Sequence, residues 1–337
     1  MIRILLLVAA LFASAPQPVA AGFSSLFVFG DSLSDNGNAF ALSGGIWPPS
    51  PPYAQQFSNG PVAAERLADR LGVPLAPSVF GGTNFAVGGA TTGLANFNFE
   101  VQLPFALPPA LDNTGLLAQV GGFLASAVPF SPADSLFMVW AAPNDFFLAL
   151  AQGTSLEAAA GAAVVNLATA VGALAGVGAT QFLVPNMANL AETPFGLSLT
   201  PTDRLAIAAL SLGFNDALMQ AMAQVRAAIE PVMPDFNLIE FDTAAFQREV
   251  IGNPAAFGFS NVTAPCFDPA NPRDLTNVLG GCEGFLFFDT VHPTAAAHLL
   301  LGDQMFASLP EPATWILLVV AAAALLVTRR RARAAAA

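Results

Sequence analysis

No lysine occurs in this chain of 337 residues; its 11 basic residues are all arginine, against 23 acidic ones, for a formal charge of −12. Without a basic face nothing can track a phosphate backbone, which excludes nucleic acid as a partner. Charge of either sign is scarce, at 10% of residues, while hydrophobic residues reach 55%. That apolar content excludes a disordered chain. Histidine occurs twice, at His292 and His298, and cysteine twice, at Cys266 and Cys282. Neither pair has ligand spacing, so no metal site and no cofactor are expected. The interior also lacks an unbroken apolar span. Its most apolar stretch, 158–179, is interrupted by Asn166 and Thr169 and is mostly alanine and glycine, which reads as a small-residue core helix.

The concentrated apolar runs lie at the two ends. Arg3, an apolar run from Ile4 to Ala13, and Val19-Ala20-Ala21 before Gly22 have the pattern of a secretory signal over 1–21. A cut after Ala15 would leave Pro16 next to the bond, which signal peptidase disfavours, and the run is short for a retained anchor. At the other end, Pro310-Glu311-Pro312 precedes 16 uncharged residues, Ala313 to Thr328, and then Arg329, Arg330, Arg331 and Arg333. As a helix that run would span about 24 Å, short of the ~30 Å hydrocarbon core unless the arginines snorkel. The arginines would stay cytoplasmic and leave residues 22–309 outside. This three-part order over 310–337 resembles the PEP-CTERM sorting signal. The resemblance implies an exosortase-type processing enzyme as a partner besides signal peptidase; a plain tail anchor is the alternative. Without both end segments, six arginines face 22 acids, which suits neutral substrates better than anionic surfaces. Export also makes a Cys266–Cys282 disulfide the default, worth about 3 kcal/mol in the chain-entropy model.

Within 22–309, short apolar runs predict buried strands at 24–29, 84–87, 136–140, 181–184 and 237–241. Between them, helical patterns cover 61–71, 114–127, 155–177 and 202–229, and a last helix follows Pro293-Thr294 to about Ala307. Alternating strands and helices predict an α/β domain with a mainly parallel sheet covered on both faces, its ligand site beyond the carboxyl ends of the strands.

Scarcity narrows the chemistry. An imidazole base must be His292 or His298. His298 sits among alanines and leucines inside a helix and reads as packing. His292 lies at a loop-to-helix corner before Pro293, with Asp289 three residues earlier, close enough to hold one ring nitrogen. Asp-x-x-His alone is a weak signal. Ser32, in Gly30-Asp31-Ser32-Leu33 just after a buried strand, would emerge at the sheet's carboxyl edge, although a serine there could equally cap a helix.

Together these stretches resemble the GDSL, or SGNH-hydrolase, esterases and lipases. Phe29-Gly30-Asp31-Ser32-Leu33-Ser34-Asp35-Asn36-Gly37-Asn38 looks like their first block, Phe85-Ala86-Val87-Gly88-Gly89-Ala90-Thr91 their second, Asn144-Asp145 the core of the third, and Asp289-Thr290-Val291-His292-Pro293-Thr294 the last. Pro52-Tyr53, 57–61, 184–186 and 193–194 also match, in order. The resemblance implies a three-layer α/β/α sandwich, flavodoxin-like, with a five-stranded sheet. It makes Ser32 the nucleophile, His292 the base and Asp289 its orienter, with the Ser32 and Gly89 N–H groups and the Asn144 side chain as oxyanion donors. Gly88 is the alternative, because adjacent glycines leave the register open. The third block departs from the family's Gly-x-Asn-Asp, reading Ala142-Pro143-Asn144-Asp145, which questions where Asn144 points. Asp31, Asp35 and Asp145 read as capping or turn residues. Trp47 and Tyr53 are candidates to line an acyl or sugar pocket, with loop packing the commoner fate. The implied activity is hydrolysis of acyl esters. A surface binding module on a degenerate fold and an acyltransferase using the same triad are the rivals.

Overall fold

Four strands make the central sheet: β1 (Ser25–Gly30), β2 (Ser135–Trp140), β3 (Gln181–Pro185) and β4 (Asn237–Phe241), side by side in that order and all parallel. The computed structural model describes residues 22–101 and 106–310. The secretory segment 1–21 and the sorting tail beyond Pro310 lie outside the described residues, as do residues 102–105. Phe23–Phe306 form one compact unit.

The strands read as continuous apolar runs because both faces are covered; Leu26, Val28, Leu136 and Met138 are as fully buried as Phe29 and Phe137 on the opposite face. The fifth expected strand, 84–87, follows the free edge of β1. Phe85 N–H donates to Val28 O at 2.7 Å and Val87 N–H to Gly30 O at 3.1 Å, beside a single parallel bridge between Val28 and Asn84. It forms no regular ladder. The Asn84 side chain is committed to Ser34 O at 2.7 Å and the Ala86 amide at 3.0 Å, and the Gly88-Gly89 turn follows at once. The second and third strand-like segments thus flank β1 on opposite sides. The resulting switch point opens a crevice beyond the end of β1.

Seven longer helices surround the sheet: α1 (Ala63–Leu71), α2 (Leu116–Ser126), α3 (Pro143–Gln152), α4 (Leu156–Gly176), α5 (Pro201–Ile229), α6 (Thr243–Gly252) and α7 (Ala295–Ser308). Ser155 and Thr200 start α4 and α5 by accepting the Ala158 and Asp203 amides at 3.1 and 3.2 Å. Both helices are long and apolar enough to cross a membrane. Here their apolar faces pack instead: Leu167, Val171 and Phe214, with Val120 and Phe123 of α2, join the sheet residues Phe27, Phe137 and Phe182 in one core. In the layer across the sheet, Gly302 of α7 lies so close to α1 that an added Cβ would sit 2.7 Å from Ala63 O. Asp303 there accepts from Arg66 at 2.9 Å and Arg70 at 2.8 Å. The result is a three-layer α/β/α sandwich.

Two short strands have no counterpart in the sequence reading: β5 (Asn261–Pro265) and β6 (Phe285–Phe287), paired in parallel. β5 has no apolar run and is half exposed, so pattern could not reveal it. Cys266 and Cys282 form a disulfide across the excursion between these strands, with Cα atoms 5.5 Å apart. β6 leads through Phe288 directly to Asp289.

Candidate active site

Ser32 follows β1 by two residues. Gly30 ends the strand where a Cβ would collide with Trp140 O of β2, and Gln119 of α2 clamps it on both sides. The Gly30 N–H donates to Gln119 Oε1 at 2.9 Å, and Gln119 Nε2 donates to Gly30 O at 2.8 Å. The turn that follows is closed by the Ser34 and Asp35 amides on Asp31 O, at 3.1 and 3.0 Å. It leaves Ser32 8% exposed, at the mouth of the crevice.

His292 reaches it from the other end of the chain. Ser32 Oγ and His292 Nε2 stand 2.8 Å apart, and His292 Nδ1 and Asp289 Oδ2 2.7 Å apart. Asp289 Oδ1 also accepts the Val291 and His292 amides at 2.9 and 2.8 Å, so the loop is folded around its own carboxylate. With Nδ1–H donated to Asp289, Nε2 is left to accept the serine proton. The helix after His292 begins at Ala295, two residues beyond Pro293, and Thr294 rather than the proline marks its start by accepting the Ala297 amide at 3.3 Å.

The charges support one another. Burial disfavours ionised Asp289, but the His292 charge and the surrounding hydrogen bonds hold its carboxyl below the ordinary value. Burial likewise works against His292, yet Asp289 and then Asp31 raise it above the usual imidazole value. Asp31 itself is pushed up to about 7 by burial, against the Leu33 amide that stabilises its charge.

Gly89 and Asn144 line the same pocket as Ser32 and His292. Gly88 does not; its N–H is taken by Asp35 Oδ2 at 2.7 Å, and a Cβ there would collide with Phe57. Gly89 has φ +85°, and a Cβ on it would strike the side chains of Asn96 and Asn98. Its amide finds no acceptor among the described residues. The Ala142-Pro143 departure does not turn Asn144 away. Pro143 is the first residue of α3, where a missing N–H costs nothing. Asn144 is buried against the pocket, with Nδ2 donating to Ala90 O at 3.0 Å. Asp145 beside it accepts the Thr92 amide at 2.8 Å and the Thr92 hydroxyl at 2.7 Å, fixing the loop after Gly89.

His298 packs in the core as expected, its Nδ1 accepting the Ala63 amide at 3.2 Å. Asp35 is indeed a turn residue, and it also fixes the second block. Tyr53 lines the pocket with Trp47, but its hydroxyl does more, donating to Asp289 Oδ2 at 2.7 Å. Sequence reasoning missed that bond. Its one available signal was a tyrosine on a proline-rich loop within a block that matched the esterases. Phe57, which opens the matched 57–61 stretch, completes an aromatic wall with Phe97 and Phe147, which no motif marked. Among the described residues, no three His, Cys, Asp or Glu side chains gather to hold a metal ion.

The GDSL-like Lipase/Acylhydrolase family profile matches residues 26–305. An uncharacterized protein from the trpE-trpG intergenic region of Pseudomonas putida is 30% identical over 90% of this chain and 51% of its own length. The thermolabile hemolysin of Vibrio parahaemolyticus is 28% identical over 85% of this chain and 63% of its own length. The chain therefore spans only about half to under two thirds of these two relatives. A phosphatidylcholine-sterol acyltransferase of Aeromonas hydrophila is 27% identical over 86% of this chain and 89% of its own length.

Proposed function

The chain belongs to the GDSL-like Lipase/Acylhydrolase family, and on that premise we propose that it is an exported serine esterase or lipase that hydrolyses carboxylic acyl esters through Ser32, His292 and Asp289. The observation that carries the reading is the continuous relay from Ser32 Oγ through His292 to Asp289, at 2.8 and 2.7 Å, opening into a pocket lined by Gly89 and Asn144.

Ser32 Oγ attacks the ester carbonyl carbon while its proton passes to His292 Nε2. Asp289 steadies the imidazolium that forms. The Ser32 and Gly89 amides and the Asn144 side chain donate to the developing oxyanion. As the tetrahedral adduct collapses, the C–O bond to the alcohol breaks and His292 returns the proton to the leaving alkoxide. A water, deprotonated by the same imidazole, then releases the carboxylic acid from Ser32. An aromatic, uncharged wall suits acyl chains, lipid esters or acylated sugars.

Ser32→Ala tests this directly. Turnover of a short p-nitrophenyl ester should drop by roughly 10⁴-fold or more with the fold intact; an undiminished rate would sink the assignment. The name of the Aeromonas relative favours a second reading, transfer of the acyl group to an acceptor other than water. Product analysis with a competing alcohol separates the two. The ground for a non-catalytic binding module was the Ala142-Pro143 departure, and it weakens with Asn144 in the pocket; labelling of Ser32 by a fluorophosphonate probe would count against that reading decisively. Export by the 1–21 signal and sorting by the 310–337 tail belong to the same proposal. Deleting the tail should release the enzyme from the cell envelope, as fractionation would read out.

A further inference from the structure

Tyr53 is the only tyrosine in the chain, and its hydroxyl reaches Asp289 Oδ2, the same oxygen that meets His292 Nδ1. Its ring is set edge-on against Phe288, centroids 5.0 Å apart, and against Phe267 at 5.7 Å. Phe267 follows the disulfide residue Cys266 and is tied to the β6 side by its amide on Phe288 O at 2.7 Å. The ring is therefore held on two sides. Burial, with the adjacent Asp289 charge, keeps the phenol protonated well above its ordinary range, so it acts here only as a donor.

We infer that Tyr53 is a positioning residue: its hydroxyl fixes the Asp289 carboxylate that orients His292 and limits how strongly that carboxylate draws on the imidazole. The inference rests on the esterase reading for its consequence in catalysis. Four donors converge on one carboxylate. Asp289 Oδ1 is satisfied by two backbone amides of its own loop. Oδ2 is shared between His292 Nδ1 and Tyr53 Oη, each at 2.7 Å. A donor on the same oxygen withdraws charge from the bond to His292 and fixes its direction. Without it, Oδ2 carries more charge toward the imidazole and is free to rock about the Oδ1 anchor.

The other titratable groups facing His292 and Asp289 are Asp31, on the turn after β1, and His298, across the core. Tyr53→Phe leaves both in place. The variant keeps the ring that packs on Phe267 and Phe288 and removes only the oxygen. The His292 ring protons, followed by NMR, should titrate with a midpoint higher by roughly half a unit or more. The acid limb of kcat/KM should move alkaline with it, while the plateau kcat for a short p-nitrophenyl ester falls about tenfold and KM stays within about twofold. A His292 midpoint and an acid limb that both superimpose on the parent's would overturn the inference. If the midpoint moves although the parent hydrolyses no ester, the positioning role stands and the esterase reading falls.

A second measurement uses the unsubstituted protein and covers failure of the variant to fold. Tyrosine labelled with ¹³C at Cζ gives one resonance in this chain. It should shift through the His292 titration with the same midpoint, because both donors share one oxygen. A resonance that stays flat across that titration would also overturn the inference.

Discussion

Asp35 Oδ2 accepts the Gly88 amide at 2.7 Å, so of the two adjacent glycine amides it is the Gly89 one that is left without an acceptor among the described residues. The same carboxylate takes the Gly37 and Asn38 amides at 2.7 Å each and the Ala39 amide at 3.0 Å. A buried side chain thus welds the turn after Ser32 to the turn that carries Gly89. Asp35→Asn keeps the shape but turns one acceptor into a donor pointed at amides. It should destabilise the fold by about 1–3 kcal/mol and lower kcat far more than it changes KM. Urea melts and steady-state kinetics on the same preparation check both, and an unaltered kcat in a destabilised protein would separate the weld from the site.

Asn144 makes one hydrogen bond to the protein through Nδ2, with Ala90 O, from its place as the second residue of α3. Its amide has another N–H to give to an oxyanion. Asn144→Ala should therefore cost about 2.7–4 kcal/mol of transition-state stabilisation, roughly 10²–10³ in kcat, with a much smaller loss of fold stability. A drop confined to KM would mean that the amide binds ground-state substrate instead.

Acid should silence the enzyme earlier than an unperturbed imidazole would. On the proposed mechanism His292 must be neutral to take the serine proton, and its proton affinity is raised by Asp289 and then by Asp31. Activity is consequently lost as pH falls through a value above the ordinary imidazole range. Asp31→Asn removes one of the raising charges and keeps an oxygen for the Leu33 amide, which now reaches Asp31 Oδ1 at 3.0 Å. The acid limb of kcat/KM should move to lower pH, opposite in sign to Tyr53→Phe. A limb that stays in place would show that Asp31 carries no charge while His292 titrates.

Much of this was legible in one dimension because parallel strands buried on both faces are written as continuous apolar runs and helices are bounded by caps. The runs at 24–29, 136–140, 181–184 and 237–241 each fall within a residue or two of an observed strand, and α4 and α5 begin at the serine and threonine that cap them. Legibility failed where an element depends on distant partners. The edge segment 84–87 hydrogen-bonds to β1 yet makes no ladder, because Asn84 spends its side chain on Ser34 O and the Ala86 amide. β5 and β6 pair only with each other, across the disulfide-bearing excursion that separates them in the chain. In the site, local spacing could pair Asp289 with His292, but Tyr53 lies 236 positions from Asp289 and Gln119 lies 89 from Gly30. No periodicity links such positions.

His298 gives the fold its own acid sensitivity, apart from catalysis. It is fully buried, and burial pushes its imidazole down to about 3, with the nearby His292 charge adding to the effect. In the unfolded chain the same group titrates near its ordinary 6.5. Between those values the unfolded state binds the extra proton, so stability is lost as pH falls from about 6.5 toward 3, at up to ~1.4 kcal/mol per pH unit. Asp31 works in the opposite sense. Its folded value of about 7 exceeds the ordinary 3.8, the folded state holds the proton, and stability declines as pH rises between the two. The parent should therefore show a shallow maximum where the slopes cancel. His298→Gln can still present an oxygen to the Ala63 amide but cannot titrate, which removes only the acid-side slope. Measured from pH 4 to 8, urea midpoints of the parent should gain on those of the variant as pH rises from 4 to about 6.5 and hold a constant offset above it. Parallel curves would mean that the buried imidazole is not the group that acid attacks.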